Sequence, residues 1–296
     1  MRRRRPHRLP KVAVTVWPIR RLVSKAASKT PCHGEGVGFG DARVCVSRSV
    51  VMSMSSRGAD GGRTGTPPPA TEARQPTWSI VVPVKRLSAA KTRLSLSEHP
   101  RNVLALAFAC DTVTAALACP LVTILVAVTS DLRAARELER IGALVVPDGP
   151  EAGLNAALEY GAKVARQRAP DRGTAALSAD LPALRPEALG RALLSASAHH
   201  RAFVPDADGG GTTLLTCLPT VQLQPEFGPG SAERHRRSGA YPIEDAGLES
   251  LRQDVDTAAD LDAAAQLGLG SRTSRLLDSP IRRVVMQIAS GRVGGR

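Results

Sequence analysis

Trp78-Ser79-Ile80-Val81-Val82-Pro83-Val84-Lys85-Arg86-Leu87-Ser88-Ala89-Ala90-Lys91-Thr92-Arg93-Leu94 decides how this chain reads. It opens with a short apolar run, Trp78 to Val82, of the kind that forms a buried β-strand. The run passes into small residues and four cations, Lys85, Arg86, Lys91 and Arg93, ahead of a helix. Such a junction suits a polyphosphate, because backbone N–H groups can approach closely while the cations neutralise charge. A basic loop kept in water is the alternative, and the segment alone does not separate the two.

Working outward, strands alternate with helices. Trp78–Val84 reads as a strand, 100–118 carries apolar residues at helical spacing, and Leu121–Val128 is a second apolar run. Thr129-Ser130-Asp131 is a helix-start signal for a short charged helix over 131–140. Ala143–Val146 is a third strand, closed by Pro147-Asp148-Gly149-Pro150, then a helix spans 152–168 and Ala175–Ser178 is a fourth strand. This alternation with short loops predicts an α/β fold, a mostly parallel, mixed sheet flanked by helices. Ligands of such folds gather at the carboxyl ends of the strands, where the Lys85–Leu94 loop and Asp180 both fall.

The formal charge of +13 suggests nucleic acid, but its distribution argues otherwise. Residues 1–76 hold 15 Lys+Arg against 4 Asp+Glu, whereas the remainder holds 25 against 23. The basicity therefore belongs to an N-terminal segment rich in Gly, Ser and Pro, which reads as a disordered extension to a domain over 77–276, with a frayed tail over 277–296. A targeting peptide lacks its apolar region here, and a nucleic-acid tail lacks interleaved aromatics. An over-extended start, with translation beginning at Met52 or Met54, is the preferred reading, because only 6 of the 40 basic residues are Lys, as GC-rich coding gives. The scattered cysteines, Cys32, Cys45, Cys110, Cys119 and Cys217, form no CxxC pair, so a reducing cytoplasm fits better than a disulfide or zinc framework. No apolar run approaches a membrane span, and neither a membrane nor a nucleic-acid partner is expected.

Several segments carry candidate chemistry. Asp180, in Ala179-Asp180-Leu181-Pro182, is placed to hold Mg²⁺ against nucleotide phosphates or, alternatively, to cap a helix. Alternation puts Asp254 and Asp256 on one face of an extended segment, so one could complete a metal site while the other caps the helix over 258–267. Gly209-Gly210-Gly211-Thr212-Thr213 is either an anion nest with a hydroxyl donor or an ordinary hairpin. Phe227-Gly228-Pro229-Gly230-Ser231 leads into a helix with Ser231 near its N-cap and Arg234, His235, Arg236 and Arg237 behind it, a fair anion site. Gly153 and Asn155 open the helix before the fourth strand, where Asn155 could bond a base or ribose or simply face water. His199-His200 lacks metal-spaced companions, and Cys217 reads as core.

Taken in order, Val84–Leu94, Gly153–Leu158, Ala179–Leu184, Gly209–Thr213, Phe227–Gly239 and Asp254–Leu261 resemble the guanylyltransferase family that makes the activated precursor of the deazaflavin coenzyme F-420. The resemblance covers roughly residues 78–276. It implies the nucleotide-diphospho-sugar transferase (GT-A-like) fold and condensation of GTP with phosphoenolpyruvate or 2-phospho-L-lactate. By position it implies that Thr212, Gly228 and Ser231 hold phosphoenolpyruvate and that Asp180, Asp254 and Asp256 hold Mg²⁺. Lys85, Lys91 and Arg93 would neutralise the triphosphate, and Ser88, Gly153 and Asn155 are the candidate nucleotide contacts. The chain departs from the commonest form at Gly210 and, one residue longer, near Gln222–Glu226. A following enzyme that draws off an unstable product is a further expected partner. The same chemistry on 3-phosphoglycerate or a sugar phosphate, and nucleic-acid binding through the basic N-terminus, are the rival readings.

Overall fold

The computed structural model describes residues 76–85, 87, 97–149 and 152–278. Strand β1 (Trp78–Pro83) is buried along nearly its whole length, as its β-branched run requires. Helix α1 (Glu98–Ala118) follows, then β2 (Val122–Val128), α2 (Leu132–Ile141), β3 (Leu144–Val146), α3 (Leu154–Arg168) and β4 (Gly173–Leu177). These are the expected elements with ends moved by one or two residues. Asp131 is the cap of α2 and not part of it: its Oδ1 accepts from the N–H groups of Arg133 (2.9 Å) and Ala134 (3.0 Å). The same carboxylate accepts from Leu87 N–H (3.1 Å), which ties the loop after β1 to the start of α2.

Beyond β4 come α4 (Pro186–Ala196), β5 (Arg201–Pro205), β6 (Thr212–Cys217), α5 (Ser231–Arg237), β7 (Tyr241–Pro242), α6 (Glu249–Arg252), α7 (Ala258–Leu267) and α8 (Ser271–Asp278). The sheet has seven strands in the order β3-β2-β1-β4-β6-β5-β7. β1 pairs in parallel with β2 and β4, and β2 with β3, whereas β6 runs antiparallel to both β4 and β5. The chain winds outward from β1 to β3, then crosses back to β4 on the other side. The carboxyl ends of β1 and β4 thus flank a topological switch point, where an open α/β sheet leaves a crevice. Because β6 is antiparallel, its first residue, Thr212, lies at that same edge, and Ser178 N–H after β4 bonds Thr213 O at 2.9 Å.

Alternation sends Ile80 and Val82 to one face and Val81 to the other. The first face packs against α1, α2 and α4 through residues such as Val113, Leu138, Leu189 and Leu193. The second packs against α3 and α5 with Leu158, Ala162, Phe203 and Ala232. At Gly161 α3 sits so close to the sheet that a Cβ would collide with Val81 and Val128. Leu104 and Phe108 of α1 join Val255, Leu261 and Ala264 in a third cluster, which docks α7. On length and composition alone α1 is long and apolar enough to cross a membrane, but 61% of its most apolar window is buried in this core. Cys110, Cys119 and Cys217 are buried free thiols, and burial pushes Cys110 up to about 11.

Candidate active site

The crevice between β1 and β4 is lined by Val84, Lys85 and Leu87 from β1 and its loop, and by Ser178, Ala179 and Asp180 after β4. Leu154 and Leu158 of α3, Phe227 and Asp256 complete its wall. The turn after β4 is fixed by Thr112 of α1, whose hydroxyl accepts from Leu181 N–H (3.1 Å) and lies 3.3 Å from Ala179 O. The Asp254–Asp256 segment runs beside it, since Val255 N–H donates to Asp180 O (3.1 Å) while the Val255 side chain is fully buried. Neither Asp254 nor Asp256 caps α7. Thr257 does, in a capping box with Asp260 that also accepts from Asp256 N–H (3.0 Å).

Asp180 and Asp256 therefore reach one crevice from segments far apart in sequence, whereas Asp254 does not line it. Among the described residues no three His, Cys, Asp or Glu side chains gather as a ligand set. Two carboxylates fit Mg²⁺ all the same, because that ion keeps most of its shell for water and substrate phosphates and takes only one or two carboxylates from the protein.

A second wall is the loop from 226 to 230. Asn155, in the first turn of α3, accepts from Phe227 N–H (2.8 Å) and donates to Phe227 O (3.3 Å). One amide N–H and one Oδ1 lone pair are thereby spent on the protein's own backbone, and the half-buried side chain keeps a second donor and a second lone pair. Arg234 donates to Pro229 O (2.7 Å) and Glu226 O (2.8 Å), closing the loop from beneath. Gly228 and Gly230 have φ of 120° and 72°, a region closed to most side chains, and Gly230 rather than Ser231 is the N-cap of α5. Ala232 N–H donates to Gly210 O (3.2 Å), so this loop abuts the glycine stretch, which is the β5–β6 hairpin connection.

Where the two loops meet, Thr212, Ser231 and His235 form a buried polar cluster. Ser231 Oγ donates to Thr212 Oγ1 (3.1 Å), and Thr212 Oγ1 is 2.9 Å from His235 Nδ1. His235 Nε2 accepts from Glu226 N–H (3.0 Å), and the ring lies between Phe203 and Phe227. Burial, with Arg201 and Arg234 nearby, lowers the His235 pKa to about 4. Of the basic residues behind that helix start, His235 is buried and neutral, Arg234 serves loop carbonyls, and Arg236 and Arg237 pair with Glu233. Arg201, unremarkable in the sequence, is buried and holds Leu223 O, Gln224 O and Ser238 O. A charged residue opening an apolar strand was the only available signal.

Of the proposed site residues, the structure brings Lys85, Asp180 and Asp256 to the crevice, Gly153 and Asn155 to the start of α3 beside it, and Thr212, Gly228 and Ser231 to the adjoining loops. Ser88, Lys91 and Arg93 lie outside the described residues.

A family model described as "Guanylyl transferase CofC like" matches residues 78–288, which spans every element above. The chain belongs to the CofC-like guanylyl transferase family. Among its relatives, the phosphoenolpyruvate guanylyltransferase of Thermomonospora curvata is 54% identical over 201 residues, covering 68% of this chain and 88% of the relative. That of Streptomyces coelicolor is 55% identical over 199 residues, covering 67% and 94%. A Desulfovibrio desulfuricans structure assigned to the nucleotide-diphospho-sugar transferases superposes with a TM-score of 0.53 at 19% identity, covering 70% of this chain and 97% of that one. The fold is that of the nucleotide-diphospho-sugar transferases. In this CofC-like chain it presents the switch-point crevice and the Thr212 cluster on one edge.

Proposed function

We propose that the chain transfers GMP from GTP to phosphoenolpyruvate, giving enolpyruvyl-diphospho-5'-guanosine and pyrophosphate on the route to the deazaflavin coenzyme. The observation that carries this is the convergence of Asp180, Asp256 and Lys85 on the switch-point crevice, with a cluster of hydroxyls and glycines in the adjoining loops. Relatives of more than half identity over most of their length bear that activity's name.

The reaction needs little from the protein in proton transfer, since the attacking phosphate oxygen is already anionic. An oxygen of phosphoenolpyruvate forms a bond to the α-phosphorus of GTP while the bond to the leaving pyrophosphate breaks in line. The barrier is bringing two polyanions together, and positioning plus electrostatics lower it. Lys85 adds positive charge at the end of β1, Thr212 and the Gly228 backbone hold the acceptor, and Ser231 supports it through its hydroxyl bond to Thr212. Asp180 and Asp256 would hold Mg²⁺, which would supply positive charge against the substrate phosphates.

The test is product identity. GTP, Mg²⁺ and phosphoenolpyruvate with the enzyme should yield a guanosine species carrying a new diphosphate (P–O–P) linkage by ³¹P NMR and mass spectrometry, in step with pyrophosphate. GTP consumption that gives only GDP or GMP would overturn the reading.

A further inference from the structure

The Thr212, Ser231 and His235 cluster invites comparison with a nucleophilic triad, since two hydroxyls and an imidazole stand in line. Hydrogen-bond bookkeeping excludes that. The backbone N–H of Glu226 can only donate, so His235 Nε2 must accept, and a neutral ring then carries its proton on Nδ1. Nδ1–H faces Thr212 Oγ1, so the ring donates to Thr212 and has no lone pair with which to remove its proton. Ser231 donates to the same oxygen. Both lone pairs of Thr212 Oγ1 are therefore filled from within the protein, and its one remaining polar valence is its own O–H.

The geometry points to His235 as a positioning residue for the acceptor substrate: it holds Thr212 as an obligate hydrogen-bond donor to an anionic oxygen of that substrate. This rests on the proposed function, which puts phosphoenolpyruvate at Thr212, and adds what sets the hydroxyl's direction. Were the ring to present Nδ1 as an acceptor, Thr212 would turn its proton inward and offer the anion a lone pair. The packing guards against that. The ring is wholly buried, edged by Phe227 and Phe203, and Arg201 and Arg234 oppose a second proton. The Glu226 N–H that selects the tautomer belongs to the same loop as Gly228, so one imidazole sets both the loop and the hydroxyl.

Two near-isosteric substitutions in the full chain separate the ring's two bonds. His235→Asn places an amide nitrogen near Nδ1 and can still donate to Thr212, but has nothing at Nε2. His235→Gln reaches the Nε2 position and can accept from Glu226, but offers Thr212 no donor. Kinetics should show His235→Gln raising the phosphoenolpyruvate KM by about tenfold or more, with the GTP KM within about twofold; His235→Asn should stay within about threefold on both. The opposite ranking, with His235→Asn the worse for phosphoenolpyruvate, would make the residue a loop clamp only and overturn the inference. Should both variants fail to fold, the wild-type ring still decides: ¹⁵N NMR should show Nδ1 protonated and Nε2 bare between about pH 5.5 and 8. An Nε2–H ring in an active enzyme overturns this inference and leaves the function intact. A wild-type enzyme that ignores phosphoenolpyruvate overturns the function, and the acceptor role of Thr212 with it.

Discussion

Asp180 and Asp256 are 76 positions apart in the sequence and share one crevice because Val255 N–H is bonded to Asp180 O. Asp180→Asn keeps the shape of the side chain and removes its charge. It should lower turnover by about two to three orders of magnitude without moving the thermal midpoint; full activity would remove Asp180 from the metal assignment. His235 makes a pH prediction. Its folded pKa of about 4 lies below the ordinary 6.5, so between those values the unfolded chain binds the extra proton. Stability should be level above about pH 6.5 and fall by about 3 kcal/mol as the pH drops to about 4, and His235→Asn should flatten that slope in urea titrations. At this scale the sequence was half legible. Carboxylates at strand ends announce themselves through topology, but the partners of Asn155, Arg234 and His235 are set by tertiary packing, which no local spacing encodes.

Elements were more legible where hydrophobic pattern alone decides them. β1 to β4 follow from apolar runs and short loops, and α2 from the Asp131 signal. The direction of β6 was not, since Leu214–Cys217 reads the same whether it pairs parallel or antiparallel, and only an antiparallel strand brings Thr212 to the active edge. Close helix–sheet contact at Gly161 is likewise invisible in sequence. Val81 and Val128 are β-branched and buried in the sheet, so they cannot yield to a new side chain. Gly161→Val should therefore destabilise by about 2–3 kcal/mol, overpacking outweighing the small gain in helix propensity. Urea unfolding with an unchanged m-value reads that; a neutral or stabilised variant would contradict the packing described.

For the whole molecule, the excess of positive charge sits in residues 1–76, whereas the family match runs from 78 to 288. Removing residues 1–76 should leave turnover within about threefold, and a chain that loses its activity with that segment would restore it to the mechanism. Architecture could be read from strand and helix alternation, but the acceptor could not: no single residue distinguishes phosphoenolpyruvate from a similar phosphate ester, and that choice came from the order of many short motifs. The most direct measurement is pyrophosphate release by the full chain with GTP and Mg²⁺, run side by side with phosphoenolpyruvate, 2-phospho-L-lactate and 3-phosphoglycerate. Release with phosphoenolpyruvate, well above that with either of the others, is the predicted result. Release with another acceptor and none with phosphoenolpyruvate would contradict it.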